Sequence, residues 1–235
     1  MCGIAGFFGN KNIRKDYIKS TLTLMKNRGP DKQKFYHANI SKNKNIYLLH
    51  SRLSIIDLED RSHQPFILDN HILIFNGEIY NYLELKKKIE NKVNFKTKSD
   101  TEVILHYFKL YGSKCFDYFE GMWSLAIFDI KKNKLILSRD RFGEKPLYIM
   151  ERKEGIYFGS EIKYIKKLAN LQKLEINYNK INHFLQFGYK SIYKNNDTFF
   201  KNIYQLKSSH FYEINTNLKI KDNIYWHYNI KINNK

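Results

Sequence analysis

Cysteine is scarce in this chain: only Cys2 and Cys115 occur among its 235 residues. Two cysteines do not make a disulfide framework, so a reducing, cytoplasmic setting is predicted. Proline is also rare, with three residues, and no apolar run approaches the roughly 20 residues that a membrane-spanning helix needs. The first ten residues lack the basic start and the long apolar stretch of a secretory signal. No membrane partner is therefore expected.

Acidic residues are outnumbered by basic ones, 23 to 41, which gives a formal net charge of +18. Such a charge raises the question of a nucleic-acid partner. The lysines are scattered, however, and the densest run, residues 86–88, is predicted to lie on the solvent face of a helix. The sequence contains no zinc-finger spacing or RNA-binding motif, and its eight histidines do not have metal-ligand spacing. Neither nucleic acid nor a metal ion is expected to bind.

Short apolar segments between turn signals predict many strands, and a hydrophobic fraction of 43% indicates a packed globular chain. Asn76-Gly77 is a strong turn signal at the end of one of these segments. The predicted strands are 2–8, 46–50, 53–57, 71–75, 123–129, 134–139, 147–150, 155–158, 210–214 and 224–228.

Helices are predicted at 18–26, at 82–90, after Ser99, and at 177–187 with Gly188 as the stop signal. Ser99 and Glu102 have the spacing of a capping box, in which each side chain binds the other residue's backbone amide. Many short strands with separate helices indicate the α+β class, with layered sheets covered by helices. After about residue 165 the chain becomes rich in Asn, Lys and Tyr, which predicts a division into 1–165 and 166–235.

Cys2 becomes the first residue if Met1 is removed, and an initiator methionine is normally removed before a small residue. An N-terminal cysteine carries a thiol with an ordinary pKa of about 8.5 and an α-amine with an ordinary pKa of about 7.7–8.0. The amine is then a base beside a strong nucleophile. From these residues alone, a small buried side chain remains the simpler interpretation of Cys2.

An ordered series of motifs changes that interpretation. The chain begins MCGIAGFFG, and the motifs that follow are RGPD (28–31), HSRLSIID (50–57), QPF (64–66), FNGEIYN (75–81), SDTE (99–102), GMW (121–123), SRDRFGEKPLY (138–148) and FGSEIK (158–163). In this order they resemble the N-terminal glutaminase domain of asparagine synthetase, a class II glutamine amidotransferase domain of the N-terminal-nucleophile hydrolases. The resemblance is dense over 2–165, the amidotransferase core, and weak from there to about 228, in an extension leading toward a synthetase domain.

The resemblance implies a sandwich of two stacked antiparallel sheets flanked by helices (αββα). It also implies that Cys2 attacks the side-chain carboxamide of glutamine, releasing ammonia and forming a γ-glutamyl thioester. Water would then hydrolyse the thioester to glutamate. The Asn76 side chain and the Gly77 backbone amide would form the oxyanion hole, as suits two donors aimed at a developing negative charge. The same residues on their own would fit a hairpin turn.

The resemblance further implies a binding site for free glutamine. Arg52 would hold the α-carboxylate, and Asp100 together with Glu78 would receive the α-ammonium. Backbone groups of Leu53, Ser54, Ile55 and Ile56 would line the pocket. Taken singly, Arg52 and Asp100 could be surface ion-pair partners, or Asp100 could stabilise a helix N-terminus.

Other polar residues in these motifs are interpreted as structural, and Cys115 as an inert core thiol. The residues interpreted as charge pairs and loop anchors are Arg28, Asp31, His50, Asp140 and Arg141. Where the family often has Pro-Gly-His, this chain has Ser208-Ser209-His210, so the geometry of that turn is open.

No cofactor is expected for the glutaminase domain. In the family, the ammonia passes to a domain that adenylates aspartate with ATP and Mg and carries a Ser-Gly-Gly-x-Asp-Ser loop. This sequence contains no such loop. A synthetase partner is therefore expected in cis, beyond this chain, or in trans, and a homodimer is left open. Two alternatives stand beside asparagine formation: delivery of ammonia to another carboxylate such as a sugar acid, and a non-catalytic basic binding module.

Overall fold

The structure, a computed structural model, describes residues 1–41, 43–189 and 195–228. Its strands are β1 (Gly3–Gly9), β2 (Lys32–Ser41), β3 (Lys44–Arg52), β4 (Phe66–Leu68), β5 (His71–Ile79), β6 (Gly121–Asp129), β7 (Lys134–Arg139), β8 (Tyr148–Arg152), β9 (Gly155–Gly159), β10 (Tyr204–Gln205), β11 (His210–Ile214) and β12 (Ile220–Ile224). Its helices are α1 (Lys15–Met25), α2 (Tyr82–Ile89), α3 (Asp100–Tyr111), α4 (Ile162–Leu168) and α5 (Tyr178–Phe187), with 3₁₀ turns at Asp60–Ser62 and Gly112–Tyr118.

The strands form two six-stranded antiparallel sheets. The first has the order β10-β8-β9-β1-β3-β2 and the second the order β12-β11-β7-β6-β5-β4. β1 lies between β3 and β9, and β6 lies between β5 and β7. All seven residues of β1 and seven of the nine in β6 are buried. Strands buried on both faces lose the alternation of apolar and polar residues, which is why both are almost continuously apolar in the sequence.

A shared apolar layer lies between the two sheets. Successive side chains of a strand point to opposite faces, so Ile4 and Phe8 of β1 enter this layer while Ala5 and Phe7 face the other way. Phe8 meets Phe128 of β6 across the layer, with ring centroids 6.1 Å apart. The two sheets are therefore stacked through the inward halves of their central strands.

Helices cover both outer faces. α1 and α4 pack on the first sheet through Ile18 and Leu168, and α2 and α3 pack on the second through Leu85 and Ile104. The predicted α+β sandwich, two stacked antiparallel sheets flanked by helices, is confirmed. In the part of the chain that the structure describes, no helix has the length and hydropathy required to cross a membrane.

The chain after residue 165 adds strands to both sheets. β10 pairs with β8 in the first sheet, and β11 pairs with β7 in the second. The predicted strand at 210–214 is confirmed as β11, but the one predicted at 224–228 is wrong, because the strand that pairs with β11 is β12, Ile220–Ile224. In the serine-containing turn before β11, Ser209 has a φ of 63°, a left-handed conformation. The division at residue 165 stays a prediction.

The strand predicted at 53–57 is wrong, since the pairing of β3 ends at Arg52 and a loop follows. The Arg52 guanidinium donates to the carbonyl oxygens of Ile56, at 3.2 Å, and Asp57. The Ser54 amide donates to the Asp31 carboxylate at 2.7 Å. Side chains thus satisfy backbone groups that a partner strand would otherwise have to satisfy.

The turn predicted at Asn76-Gly77 is also wrong. β5 continues through both residues to Ile79, and its nine residues pair with β6 in unbroken register. Local turn preference is overridden here by pairing with a strand more than 40 residues away in the sequence.

The capping box predicted at the start of α3 does not form. Ser99 is the N-cap, as expected, but its hydroxyl accepts from the Thr101 amide at 3.1 Å. The fully buried Glu102 carboxylate accepts instead from the amides of Lys96, at 2.8 Å, and Thr97, at 2.6 Å. A buried carboxylate needs several donors, and the preceding loop supplies them.

Truncating a side chain in the apolar layer between the sheets is expected to lower the free energy of unfolding strongly. Leu137 of β7 is fully buried there, whereas Leu83 of α2 is 64% exposed. Leu137→Ala is expected to lower the free energy of unfolding by about 2–5 kcal/mol, because it removes buried methyl groups and leaves a cavity. The matched Leu83→Ala is expected to change it by less than about 0.5 kcal/mol. Urea denaturation followed by circular dichroism measures both, and equal effects would contradict the layer assignment.

Candidate active site

Cys2 immediately precedes β1, and its position is fixed by the pairing of that strand. Gly3 pairs with Ser51 of β3, so Cys2 lies beside the end of β3. The Leu53 amide donates to Cys2 Sγ at 3.4 Å, and the thiol donates to the Leu53 carbonyl at 3.6 Å. Burial raises the pKa of the Cys2 thiol above its ordinary value, against the opposing effect of the Leu53 amide. The thiol therefore holds its proton near neutral pH and needs a base to act as a nucleophile.

Arg52 closes β3 with a buried guanidinium whose partners are not carboxylates. It donates to the carbonyl oxygens of Glu59, at 3.2 Å, Ile56 and Asp57, and Nη1 lies 2.6 Å from His63 Nδ1. Within the described ranges, no acidic side chain lies within 4.0 Å of this guanidinium. The carbonyl groups fix its orientation but leave its charge without an anionic partner.

Asp100 is the first residue of α3 and is 5% exposed. Its Oδ2 accepts from the Ile79 amide at 3.1 Å, which ties the start of α3 to the end of β5. Burial raises the pKa of Asp100 to about 6, and the charge of Glu78 contributes in the same direction. The buried carboxylate has backbone and hydroxyl donors but no cation beside it among the described ion pairs, so it is suited to a cationic ligand.

Asn76 and Gly77 lie in β5 where that strand extends beyond β4. The Asn76 side chain is 1% exposed; Nδ2 donates to Ser124 Oγ at 3.4 Å, while Oδ1 has no hydrogen-bond partner in the described part of the chain. A Cβ atom on Gly77 would lie 2.1 Å from the carbonyl oxygen of Met122 and 2.7 Å from the Cα of Trp123. Only glycine lets β5 approach β6 this closely.

The hydrogen-bond pattern of β5 shows where the Gly77 amide points. The amides of Phe75 and Ile79 turn away from β6 and donate to Gln64 Oε1, at 2.6 Å, and to Asp100. Opposite Gly77, the backbone amide and carbonyl of Trp123 both bind Asp140 instead. Alternate amides of a strand point the same way, so the Gly77 N–H points into the space between Gln64 and Asp100.

One cavity brings together every predicted site residue except Ser54. Ser54 lies in the loop that follows β3, where its backbone amide donates to the Asp31 carboxylate. The predicted residues that line the cavity are Cys2, Arg52, Leu53, Ile55, Ile56, Asn76, Gly77, Glu78 and Asp100. The lining residues that were not predicted are Met1, Ser62, Gln64, Phe75, Ser99, Thr101, Met122 and Lys145.

Several of these additional residues come from motifs that the sequence already marked. Gln64 belongs to the QPF motif, and its amide nitrogen donates to Thr101 Oγ1 at 3.2 Å while its oxygen accepts from Phe75. Lys145 belongs to the motif at 138–148, and its side-chain nitrogen lies 3.3 Å from Met1 Sδ. Membership in a motif was the available signal, but it did not distinguish lining residues from loop anchors.

The residues interpreted as structural do hold the surrounding loops. The buried Asp140 carboxylate accepts from the backbone amides of Trp123, Phe142, Glu144 and Lys145. His50 Nε2 donates to the Phe75 carbonyl at 3.1 Å, and burial lowers the pKa of His50 to about 3, so the ring is neutral.

The remaining anchors lie near the chain start and near the later loop. Arg28 Nε donates to the Cys2 carbonyl at 2.8 Å, and Arg141 donates to the Asp117 carbonyl at 3.2 Å. Cys115 is fully buried, and burial raises its thiol pKa.

Metal binding has no support in the described ranges, where no group of three or more His, Cys, Asp or Glu side chains could hold an ion. The expectation that no metal binds stays a prediction. The groups that face the cavity are instead a thiol, a guanidinium, carboxylates and amides, which suit a small zwitterionic molecule with an amide.

Comparison with known proteins places this arrangement in a family. The sequence model of the glutamine amidotransferase domain matches residues 1–226. The chain is 37% identical over 236 residues to asparagine synthetase 2 (glutamine-hydrolysing) of Bacillus subtilis, covering 96% of this chain and 30% of the relative. It is 36% identical over 169 residues to asparagine synthetase B (glutamine-hydrolysing) of Escherichia coli, covering 69% of this chain and 29% of the relative. The chain thus spans less than half the length of these curated relatives.

A solved structure shares the fold at low sequence identity. Glutamine phosphoribosylpyrophosphate amidotransferase from Bacillus subtilis, complexed with ADP and GMP, superimposes with a TM-score of 0.68 at 18% identity. The superposition covers 96% of this chain and 49% of that one. With the family match over nearly the whole chain, the resemblance inferred from the motifs is confirmed: the chain belongs to the family of glutamine amidotransferase domains.

Proposed function

We propose that this chain hydrolyses glutamine to glutamate and ammonia, with Cys2 as the nucleophile once Met1 has been removed. The observation that carries the proposal is the convergence in one cavity of the Cys2 thiol, the Arg52 guanidinium, the Asp100 carboxylate and the Gly77 amide. These groups come from four separate parts of the sequence. The thiol and the Gly77 amide suit the side-chain carboxamide of free glutamine. The guanidinium suits its α-carboxylate, and the Asp100 carboxylate suits its α-ammonium.

Binding of glutamine would use two buried charges that have no oppositely charged side chain within 4.0 Å in the described ranges. Arg52, whose Nη hydrogens have acceptors in the surrounding loop, would attract the α-carboxylate by its charge and donate to it from Nε. Asp100, helped by Glu78, would take the α-ammonium, which would compensate the burial that raises the pKa of Asp100. Both ends of the amino acid would then be held, and the side-chain carboxamide would be directed toward Cys2.

The chemistry needs a base, because burial raises the pKa of the Cys2 thiol. The α-amine exposed by loss of Met1, with an ordinary pKa of about 7.7–8.0, would accept the thiol proton as Sγ bonds to the carboxamide carbon. The same proton would pass to the leaving nitrogen as the C–N bond breaks, giving ammonia and a γ-glutamyl thioester. Water would then break the S–C bond, giving glutamate and restoring the thiol.

The oxyanion of each tetrahedral intermediate would lie against β5. The Gly77 amide would point into the cavity, between the Phe75 amide, which donates to Gln64, and the Ile79 amide, which donates to Asp100. A half-turn of the Asn76 carboxamide would let the Ser124 hydroxyl donate to Oδ1 and would free Nδ2 for the oxyanion. Two such donors would stabilise charge that is absent from the bound substrate.

We further propose that the ammonia serves ATP-dependent asparagine synthesis from aspartate, in a synthetase domain or subunit in cis or in trans. The names of the similar synthetases support this acceptor over a sugar acid. ATP and Mg would act in that partner, and the glutaminase chemistry itself requires no cofactor. Two cysteines without a disulfide are consistent with action in the cytoplasm.

The two cysteines provide a matched test of the nucleophile. Cys2→Ala is expected to abolish glutamine hydrolysis, because no thioester can form, whereas Cys115→Ala is expected to retain it. A coupled glutamate assay measures turnover, and intact-mass spectrometry confirms that Met1 is absent. Turnover by the Cys2→Ala variant, or full activity of a chain that keeps Met1, would overturn the mechanism.

The raised pKa of Asp100 predicts how glutamine binding depends on pH. Above about pH 6 its carboxylate is charged and can pair with the ammonium; below that value it is protonated and the pairing is lost. In the Cys2→Ala background, the Kd for glutamine is expected to rise about tenfold per pH unit below 6, with protons released on binding near pH 6. Calorimetry in buffers of different ionisation enthalpy measures both effects.

Asp100→Asn is the control for that assignment. It is expected to bind glutamine more weakly than its parent at pH 8 and to lose the dependence on pH below 6, because the amide carries no charge to titrate. A Kd that stays constant from pH 5 to 8 in the parent, or an unchanged pH dependence in Asp100→Asn, would show that Asp100 does not receive the ammonium.

A further inference from the structure

Lys145 is a buried cation at the cavity that the chemistry above does not use. It is 6% exposed, and its Nζ lies 3.3 Å from Met1 Sδ. Its backbone is held on both sides: the amide donates to Asp140 Oδ2 at 3.0 Å, and the carbonyl accepts from Arg139 Nε at 2.7 Å. The Lys145 backbone is thus held by hydrogen bonds, and its side chain reaches the start of the chain.

Two other cations lie near Cys2. Arg28 Nη1 lies 3.5 Å from the Glu161 carboxylate. Arg52, the proposed partner of the substrate carboxylate, has a charge that opposes the rise in the pKa of the Cys2 thiol that burial causes. Of the residues that the structure describes, none places a carboxylate within 4.0 Å of Lys145 Nζ. The charged groups around the first two residues are Arg28, Arg52, Glu78, Asp100, Lys145 and Glu161.

The geometry also bounds the distance from Lys145 to the future N-terminus. Met1 Sδ is five bonds from the Cys2 backbone nitrogen, so Lys145 Nζ lies within about 10 Å of that nitrogen. Loss of Met1 removes the sulfur that Lys145 contacts and leaves its ammonium facing the space beside the new α-amine.

We infer that Lys145 is a positioning residue for the nucleophile: its ammonium disfavours an added proton on the Cys2 α-amine and favours loss of the thiol proton. The inference rests on the proposed glutaminase function. A positive charge at this distance acts on both groups in the same direction, because deprotonation of either one removes positive charge or adds negative charge beside the cation. Lys145 thus helps to keep the base free at neutral pH without touching the substrate.

The size of the effect follows from Coulomb's law. At an effective dielectric constant of about 20, a unit charge about 10 Å away changes a pKa by roughly one unit. Replacing Lys145 by a neutral side chain is therefore expected to move the acid limb of kcat/KM upward by about one pH unit. At pH 7 the rate would fall several-fold, and at high pH it would recover toward that of the parent.

The variants are Lys145→Met and Lys145→Gln, which remove the charge, and Lys145→Arg, which keeps it. Lys201→Met is the matched control, because Lys201 pairs with Glu175 in the extension, away from the cavity. Each protein is checked for folding by circular dichroism and for absence of Met1 by mass spectrometry. Two pH profiles are then measured: kcat/KM for glutamine, and the rate of Cys2 alkylation by iodoacetamide, read from the N-terminal peptide.

The expected result is an upward shift of both profiles by about one pH unit in the two neutral variants, with the Lys145→Arg and Lys201→Met profiles unshifted. A uniform loss of rate at every pH, with unmoved profiles, would overturn the inference and assign Lys145 a purely structural role. A pH profile of Lys145→Arg that is shifted like those of the neutral variants would also overturn the inference. If the parent does not hydrolyse glutamine, the proposed function fails, while the alkylation profile still decides the role of Lys145.

Discussion

The antiparallel pairing of β1 with β3 is the interaction on which the candidate site depends. It places Gly3 opposite Ser51, and so brings Cys2 to the residue where β3 ends and its loop begins. A slip of one residue would turn Ile4 and Phe8 away from the layer between the sheets, so burial of that layer fixes the register. The position of the nucleophile is thus set by the packing of the whole sandwich.

Burial also decides how the charged groups behave. Arg52 and Asp100 are each 5% exposed and are oriented by backbone groups rather than by each other. Charges buried in this way are costly until a partner neutralises them. A zwitterion that brings one charge of each sign would relieve both costs at once, which is the physical basis of the proposed binding of an amino acid. The loop that carries Lys145, one of the residues lining the cavity, is anchored by Asp140.

Local signals predicted those parts of the fold that local forces determine. The N-cap at Ser99, the helix over Tyr178–Phe187 with Gly188 at its end, and the two strands β6 and β7 all follow from neighbouring residues. The motifs predicted nine of the residues that line the cavity; Ser54 was predicted as well but does not line it, and eight lining residues were not named.

What the sequence could not predict depends on distant partners. β5 passes through Asn76-Gly77 because β6 pairs along it, and Glu102 leaves the capping box because the loop before α3 needs an acceptor. β2 was not predicted because it is an edge strand and none of its ten residues is buried. Lys145 reaches the cavity only because Asp140 folds its loop back against the chain start.

In the proposed mechanism, Cys2 attacks the side-chain carbonyl of a bound glutamine. The most direct test is labelling with a γ-diazoketone analogue of glutamine, followed by mass mapping of the modified peptide. Labelling is expected to give one adduct per chain, on the sulfur of Cys2 in protein that lacks Met1, and to be slower in the presence of excess glutamine. Labelling that glutamine does not slow, or that falls on another residue with Cys2 unmodified, would contradict it.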